Sequence, residues 1–188
     1  MIIKVPRLPV AGETVMGGNF SVALGGKGAN QAVAAARLGA ETTMVVKLGM
    51  DTFGDLAEAN LRKEGIRSDF VLRTDKSHTG AALIMLDANG ENMIVVAAGA
   101  NNLLTPEDVD QAKAVIEQSD VFLAQLEISL ETVEYAIAMA HKAGVTVMLN
   151  PAPGRELGKK LLAMVDVLTP NETETQIITG MPVTNLKQ

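Results

Sequence analysis

The chain has 188 residues, 47% hydrophobic and only 3% aromatic, with a net charge of −6, which is enough length and apolar mass for a sizeable core. The acidic balance excludes a nucleic-acid surface, which needs clustered Lys and Arg, and with no Trp, one Tyr and four Phe there is no stacking platform for single strands. Without cysteine there are no disulfides, zinc–thiolate centres or thiol nucleophiles, and His78 and His141 stand too far apart in sequence to seed a histidine-rich metal site.

In chain order, residues 1–5 read as the tail of a strand, broken by Pro6, Pro9 and Gly12. Residues 13–24 read as two short strands around Gly17-Gly18. The helix after Gly25-Gly26 runs to about Leu38 and stops at Gly39. A buried strand at 42–48 and an amphipathic helix at 53–64, closed by Gly65, follow. Residues 70–73, 80–86 and 92–98 are β-rich, with a hairpin turn at Asp87-Ala88-Asn89-Gly90. Together with 13–24 they predict a small sheet apart from the main one. From Thr105, an N-cap followed by Pro106 at the first helical position, helices and strands alternate. Strands are expected at 121–126, 145–149 and 165–169, and helices at 130–142, 157–164 and 172–179. Near-continuous apolar strands joined by crossover helices predict an α/β fold with a mostly parallel sheet covered on both faces. No signal-peptide pattern and no bilayer-length apolar run occur, so a cytoplasmic protein with no membrane partner is expected.

Ligands on such sheets sit at the carboxyl ends of strands. There the sequence places Glu127, Asn150-Pro151-Ala152-Pro153 and Pro170-Asn171-Glu172-Thr173-Glu174. Each has a plain structural alternative. Glu127 can be a solvated loop carboxylate, Asn beside Pro is common in tight turns, and Asn171 with Glu174 fits an N-cap and first-turn acid. The richest segment is Gly25-Gly26-Lys27-Gly28-Ala29-Asn30-Gln31. Its glycines let backbone amides approach a ligand, and a helix start adds unpaired N–H donors and partial positive charge. It is not a P-loop, because Gly28 rather than Ser or Thr follows Lys27. Nor is it a dinucleotide fingerprint, since Gln31 stands where the last glycine belongs. Alone it reads equally as a strand-to-helix turn or as the mouth for a small polyhydroxylated or phosphorylated molecule.

The combination goes further. Gly25 to Gln31, the β-rich insertion, Gln125-Leu126-Glu127, Asn150 to Pro153 and Pro170 to Glu174 occur in the order seen in ribokinases. Across nearly its whole length the chain resembles the ribokinases of the carbohydrate kinase family. The resemblance implies a three-layer αβα fold with a mostly parallel sheet. It implies one domain over 1–188, with a β-sheet lid built from segments at about 13–24 and 70–98. It implies transfer of the ATP γ-phosphoryl group to the primary hydroxyl of D-ribose, with another sugar or nucleoside kinase, or a non-catalytic sugar-binding or dimerisation module, as alternatives. Gly26, Lys27, Gly28, Ala29 and Asn30 match the loop that grips the sugar, and Glu127 a carboxylate that reaches it. Asn171 matches a residue on the ATP side, and Glu174 one that organises Mg2+-bound water. A homodimer through the lid is implied as well.

Two departures matter. In ribokinases a strand ending Gly-Ser-Ile-Asn-x-Asp precedes the segment matched by Met1 to Lys4. Their Gly-Ala-Gly-Asp motif, with the general base and phosphate-binding amides, lies beyond the position of Gln188, as do most of the adenine pocket and the K+ loop. No acidic residue here, Asp166 included, sits in a Gly-rich turn before a helix. The expectation is a sugar-gripping portion with no catalytic residue of its own, inactive alone and prone to associate.

Overall fold

The computed structural model describes residues 1–184, so the last four residues of the expected 1–188 unit lie outside the described residues. The elements begin with β1 (Ile2–Lys4), β2 (Phe20–Ser21), α1 (Lys27–Arg37), β3 (Val46–Gly49), α2 (Thr52–Lys63) and β4 (Val71–Thr74). Then come β5 (Ala81–Leu86), β6 (Asn92–Ala97), a 3-10 turn (Gly99–Leu103), α3 (Pro106–Asp110) and α4 (Lys113–Glu117). The chain continues through β7 (Val121–Ala124), α5 (Leu130–Lys142), β8 (Thr146–Leu149), α6 (Lys159–Leu162), β9 (Val167–Leu168) and α7 (Glu172–Thr179).

The alternation after Thr105 folds as its pattern demands. β7, β8 and β9 are parallel, in that order, with Phe122 opposite Val147 and Met148 opposite Val167. α5 is capped by Ser129, whose hydroxyl accepts the Thr132 N–H at 3.2 Å. It buries Val133, Ala136, Ile137 and Ala140, the i, i+3, i+4, i+7 stripe of an amphipathic helix. That stripe shares a core with Val147 and Leu149. Ile137, Val147 and Leu149 are all 0% exposed, and each such burial stabilises by about 1.5–3 kcal/mol.

β3 and β4 form a second parallel pair, Val46 opposite Val71, not hydrogen-bonded to the β7–β9 set. Val45 and Phe70 nevertheless pack against the same core. Lys47 of β3 donates to the Leu103 carbonyl at 2.9 Å and pairs with Asp108 of α3. Burial on its own pushes the Asp108 carboxyl up, but the Lys47 ammonium and the Thr105 donors hold it below its ordinary value. Thr105 and Asp108 also form a reciprocal capping box.

The remaining strands make a mixed sheet of order β2-β1-β5-β6. β1 runs parallel to β5 and antiparallel to β2, and β5 and β6 form an antiparallel hairpin. Its tip is closed by Asp87, whose carboxylate accepts the N–H groups of Asn89 at 2.8 Å and Glu91 at 2.9 Å. Gly90 there has φ +86°, a left-handed conformation that favours glycine.

Two expectations need correcting. Residues 13–18 are not a strand; the regular ladder is Phe20–Ser21, and it ends where Lys4 meets two residues at once, donating to the Asn19 carbonyl at 2.9 Å and accepting the Gly18 N–H at 2.7 Å. The segment at 70–73 does not join the separate sheet, since β4 pairs with β3 instead. The strand expected within residues 1–5 is present as β1, and it lies between β2 and β5 inside that sheet.

A polar knot ties the root of the β5–β6 hairpin to the rest. Asp51 caps α2, accepting the Gly54 N–H at 2.8 Å, and also takes the Thr79 N–H and hydroxyl, each at 2.7 Å. Thr79 Oγ1 in turn accepts the Gly49 N–H at 2.9 Å. The Thr79 N–H is the main reason the Asp51 carboxyl lies below its ordinary value. A Cβ on Gly49 would stand 2.5 Å from Thr79 N, so only glycine lets the end of β3 approach the segment that leads into β5.

Candidate functional site

The glycine loop enters α1 through Gly26, at φ +93°, with no side chain capping the helix. The uncapped first-turn donor is met from elsewhere. Glu127, in the loop after β7 and 100 positions away, accepts the Lys27 N–H at 2.7 Å. A carboxylate at a helix N-terminus is favoured by the aligned peptide dipoles. Glu127 is thus no free loop acid; it holds the glycine loop against the carboxyl end of β7. Lys27, Gly28 and Ala29 are half-buried, while Gly25, Gly26 and Asn30 are exposed. Neither the Lys27 ammonium nor the Asn30 amide has a partner among the described residues, so both can engage a ligand.

A shallow pocket of about 250 Å³ opens beside the loop, lined in part by Gly25, Ala29, Asn30 and Arg37. Its wall includes the exposed Arg37–Glu64 ion pair, Nε to Oε2 at 2.7 Å. Glu127 does not line it, so the pocket and the carboxylate meet the loop from separate directions.

At the other strand ends the capping alternative for Asn171 and Glu174 is realised. Asn171 Oδ1 accepts the Glu174 N–H at 2.8 Å, and Glu174 Oε2 accepts the Asn171 N–H at 3.0 Å. One polar atom on each, Asn171 Nδ2 and Glu174 Oε1, takes no partner among the described residues. Glu174 is 7% exposed, so its carboxylate direction is fixed. No three metal-ligating side chains cluster among the described residues; a single oriented carboxylate fits Mg2+ held through water and phosphate rather than in a protein cage. The spare amide of Asn171 fits a phosphate or ribosyl acceptor. Asp166 is a structural acid, its carboxylate accepting the Val147 N–H at 2.8 Å.

Sequence reasoning missed two side chains between these groups. Gln31 Nε2 donates to Asn150 Oδ1 at 3.3 Å, and Gln125 Nε2 donates to Gln31 Oε1. Gln31 closes the glycine-loop string and Gln125 stands two residues before Glu127, positions that mark them only once the folded proximity is known. Asp51 was missed as well, because a helix N-cap gives no local sign of its grip on Thr79.

The whole chain, residues 1–188, matches the pfkB family of carbohydrate kinases. The chain belongs to the pfkB family. Among curated members it is 46% identical to the ribokinase of Haemophilus influenzae over 182 residues, 97% of this chain and 60% of that protein. It is 42% identical to the deoxyribokinase of Salmonella typhi over 184 residues, again 97% of this chain and 60% of that protein. The solved Arabidopsis thaliana ribokinase complexed with ribose and ATP superposes with a TM-score of 0.87 at 32% identity, covering 100% of this chain and 61% of that one. The fold is therefore the ribokinase-like three-layer αβα fold of pfkB kinases, and the chain spans about 60% of the length of these curated relatives. No helix among the described residues is long and apolar enough to cross a membrane.

Proposed function

We propose that this chain supplies the sugar-binding portion of a ribokinase-type enzyme that phosphorylates D-ribose with ATP to D-ribose 5-phosphate in the cytoplasm. The observation that carries the reading is the glycine loop held against Glu127, with the Lys27 N–H on the carboxylate at 2.7 Å and the Lys27 and Asn30 side chains left unpaired. Gly26 to Asn30 present backbone and side-chain donors to sugar hydroxyls, and the second oxygen of Glu127 accepts from one of them. Asn171 takes the nucleotide side, and Glu174 orients water on Mg2+. Magnesium-bound ATP supplies the phosphoryl group and neutralises charge as it transfers. The segments at 13–24 and 80–98, together with β1, serve as the lid that excludes water over the sugar. Two copies pair through it as a homodimer, supported by Ile94, Val95 and Val96 of β6, which are 53%, 61% and 62% exposed. No residue of this chain is assigned as the general base or as a K+ ligand.

The deoxyribokinase relative favours a second reading, in which 2-deoxyribose is the substrate. Calorimetry of this chain with each sugar tests both. Ribose binding that Lys27→Ala weakens at least tenfold supports the proposal, whereas tighter binding of 2-deoxyribose moves it to the second reading. Binding of neither sugar refutes both for this chain. Turnover of ATP by the chain alone is expected to be negligible, since a missing base costs about 10²–10⁴ in rate. Ribose-dependent ADP release would reveal a base among these residues.

A further inference from the structure

The side chains between the two groups of candidate residues form one continuous path. Gln125 Nε2 donates to Gln31 Oε1, Gln31 Nε2 to Asn150 Oδ1 at 3.3 Å, and Asn150 Nδ2 to the Thr169 carbonyl at 2.9 Å. Gln31 and Asn150 each accept from the amide before them and donate onward, so the dipoles run head to tail and polarise one another. All three amides are half-buried. The path starts two residues before Glu127, which holds the sugar loop, and ends two residues before Asn171. Gly28 belongs to it too, because a Cβ there would stand 2.9 Å from Gln125 Oε1. The glycine clears the space in which the first amide turns toward α1.

We propose that Gln31, Gln125 and Asn150 are positioning residues that couple the sugar loop at 26–30 to the turn at 169–171. The inference rests on the kinase reading for the identity of the two ends, though the amide path does not. A ligand gripping Lys27 and Asn30 shifts the first turn of α1. Gln31, the next residue of that helix, moves with it and draws on Asn150 and so on the Thr169 carbonyl. An apolar residue at 31 fills similar space and transmits nothing.

The test is the backbone and side-chain amide NMR spectrum of the 188-residue chain, recorded with and without D-ribose. In the unsubstituted chain, ribose is expected to shift the signals of both 26–30 and 169–171. In Gln31→Leu the first set still responds and the second is lost, whereas a role in packing alone weakens both together. Gln31→Glu adds a pH readout. The ionised carboxylate only accepts, so Asn150 must turn its amide and present an oxygen to the Thr169 carbonyl. Protonation returns a donor, so the 169–171 response, read against the 26–30 response at the same pH because Glu127 also titrates in acid, is absent at neutral pH and reappears on acidification. An unchanged 169–171 response in Gln31→Leu overturns the proposal, as does a response confined to 26–30 in the unsubstituted chain. If ribose shifts nothing, the sugar reading fails and the ligand-free spectra judge the path. It stands if Gln31→Leu shifts the Asn150 side-chain and Asn171 backbone signals, and falls if they stay in place.

Discussion

The β7–β9 layer and the β2-β1-β5-β6 sheet are built from similar residues and end in opposite states. In the first, α5 packs on the central strand β8, where Val147 and Leu149 reach 0% exposure, while Val121 and Leu123 of β7 and Val167 of β9 stay 38% to 48% exposed. In the second, Met93, Ile94, Val95 and Val96 are consecutive and 44% to 62% exposed. Since successive side chains point to opposite faces of a strand, both faces of β6 are bare. Short apolar runs containing valine form strands in either place, but burial is set by what the connecting chain carries over the sheet. The central strand of one layer is covered by its own connections; β6 of the other is left bare on both faces.

Substitutions can break or sharpen that contrast. Ile137→Ala in α5 is expected to destabilise the chain by about 2–5 kcal/mol, read from urea unfolding, while Val95→Ala in β6 stays within about 0.5 kcal/mol. Equal losses would end the distinction. At the knot that ties the root of the β5–β6 hairpin to β3 and α2, Asp51→Ala leaves the Thr79 and Gly54 donors unmet and is expected to cost about 1–3 kcal/mol. The folded Asp51 carboxyl lies below its ordinary value. Its contribution is therefore full above the unfolded aspartate pKa, about 3.9, and lost as pH falls through the lower folded value. Acid unfolding of Asp51→Asn should lack that component; an unaltered acid limb would show that the knot does not hold the hairpin root.

Two smaller effects complete the series. Thr105→Ala removes a capping box within the helical half and is expected to cost about 1 kcal/mol, seen as a lower urea midpoint with an unchanged slope. Ile94→Lys with Val96→Lys should change unfolding least, within about 0.5 kcal/mol, yet abolish self-association in sedimentation experiments. Retained association would locate the contact between copies away from β6.

How far the sequence could be read follows from how local each signal is. The elements after Thr105 were legible because caps and periodicity lie within a few residues, as with Thr105-Pro106 and the stripe from Val133 to Ala140. β4 was legible as a strand but not as the partner of β3, because propensity says nothing of which neighbour completes a ladder. Residues 13–18 alternate like a strand, but Gly17 packs against Ile3, where a Cβ would stand 2.8 Å from the Ile3 side chain. At the site, Lys27 and Asn30 stood out by type and place. That Glu127 would accept the Lys27 backbone N–H, 100 residues away, had no local sign. Asn171 and Glu174 carried two readings at once, and the capping geometry satisfies one while leaving a polar atom of each for the other.

The self-closed tip of the β5–β6 hairpin has a practical consequence. Asp87 satisfies the turn from within, and Ala88 beside it is exposed. The chain contains no cysteine, so Ala88→Cys would install a single thiol at the far end of the hairpin from its Thr79 anchor. A fluorophore or spin label there would report, without background, whether that arm moves when a sugar is added.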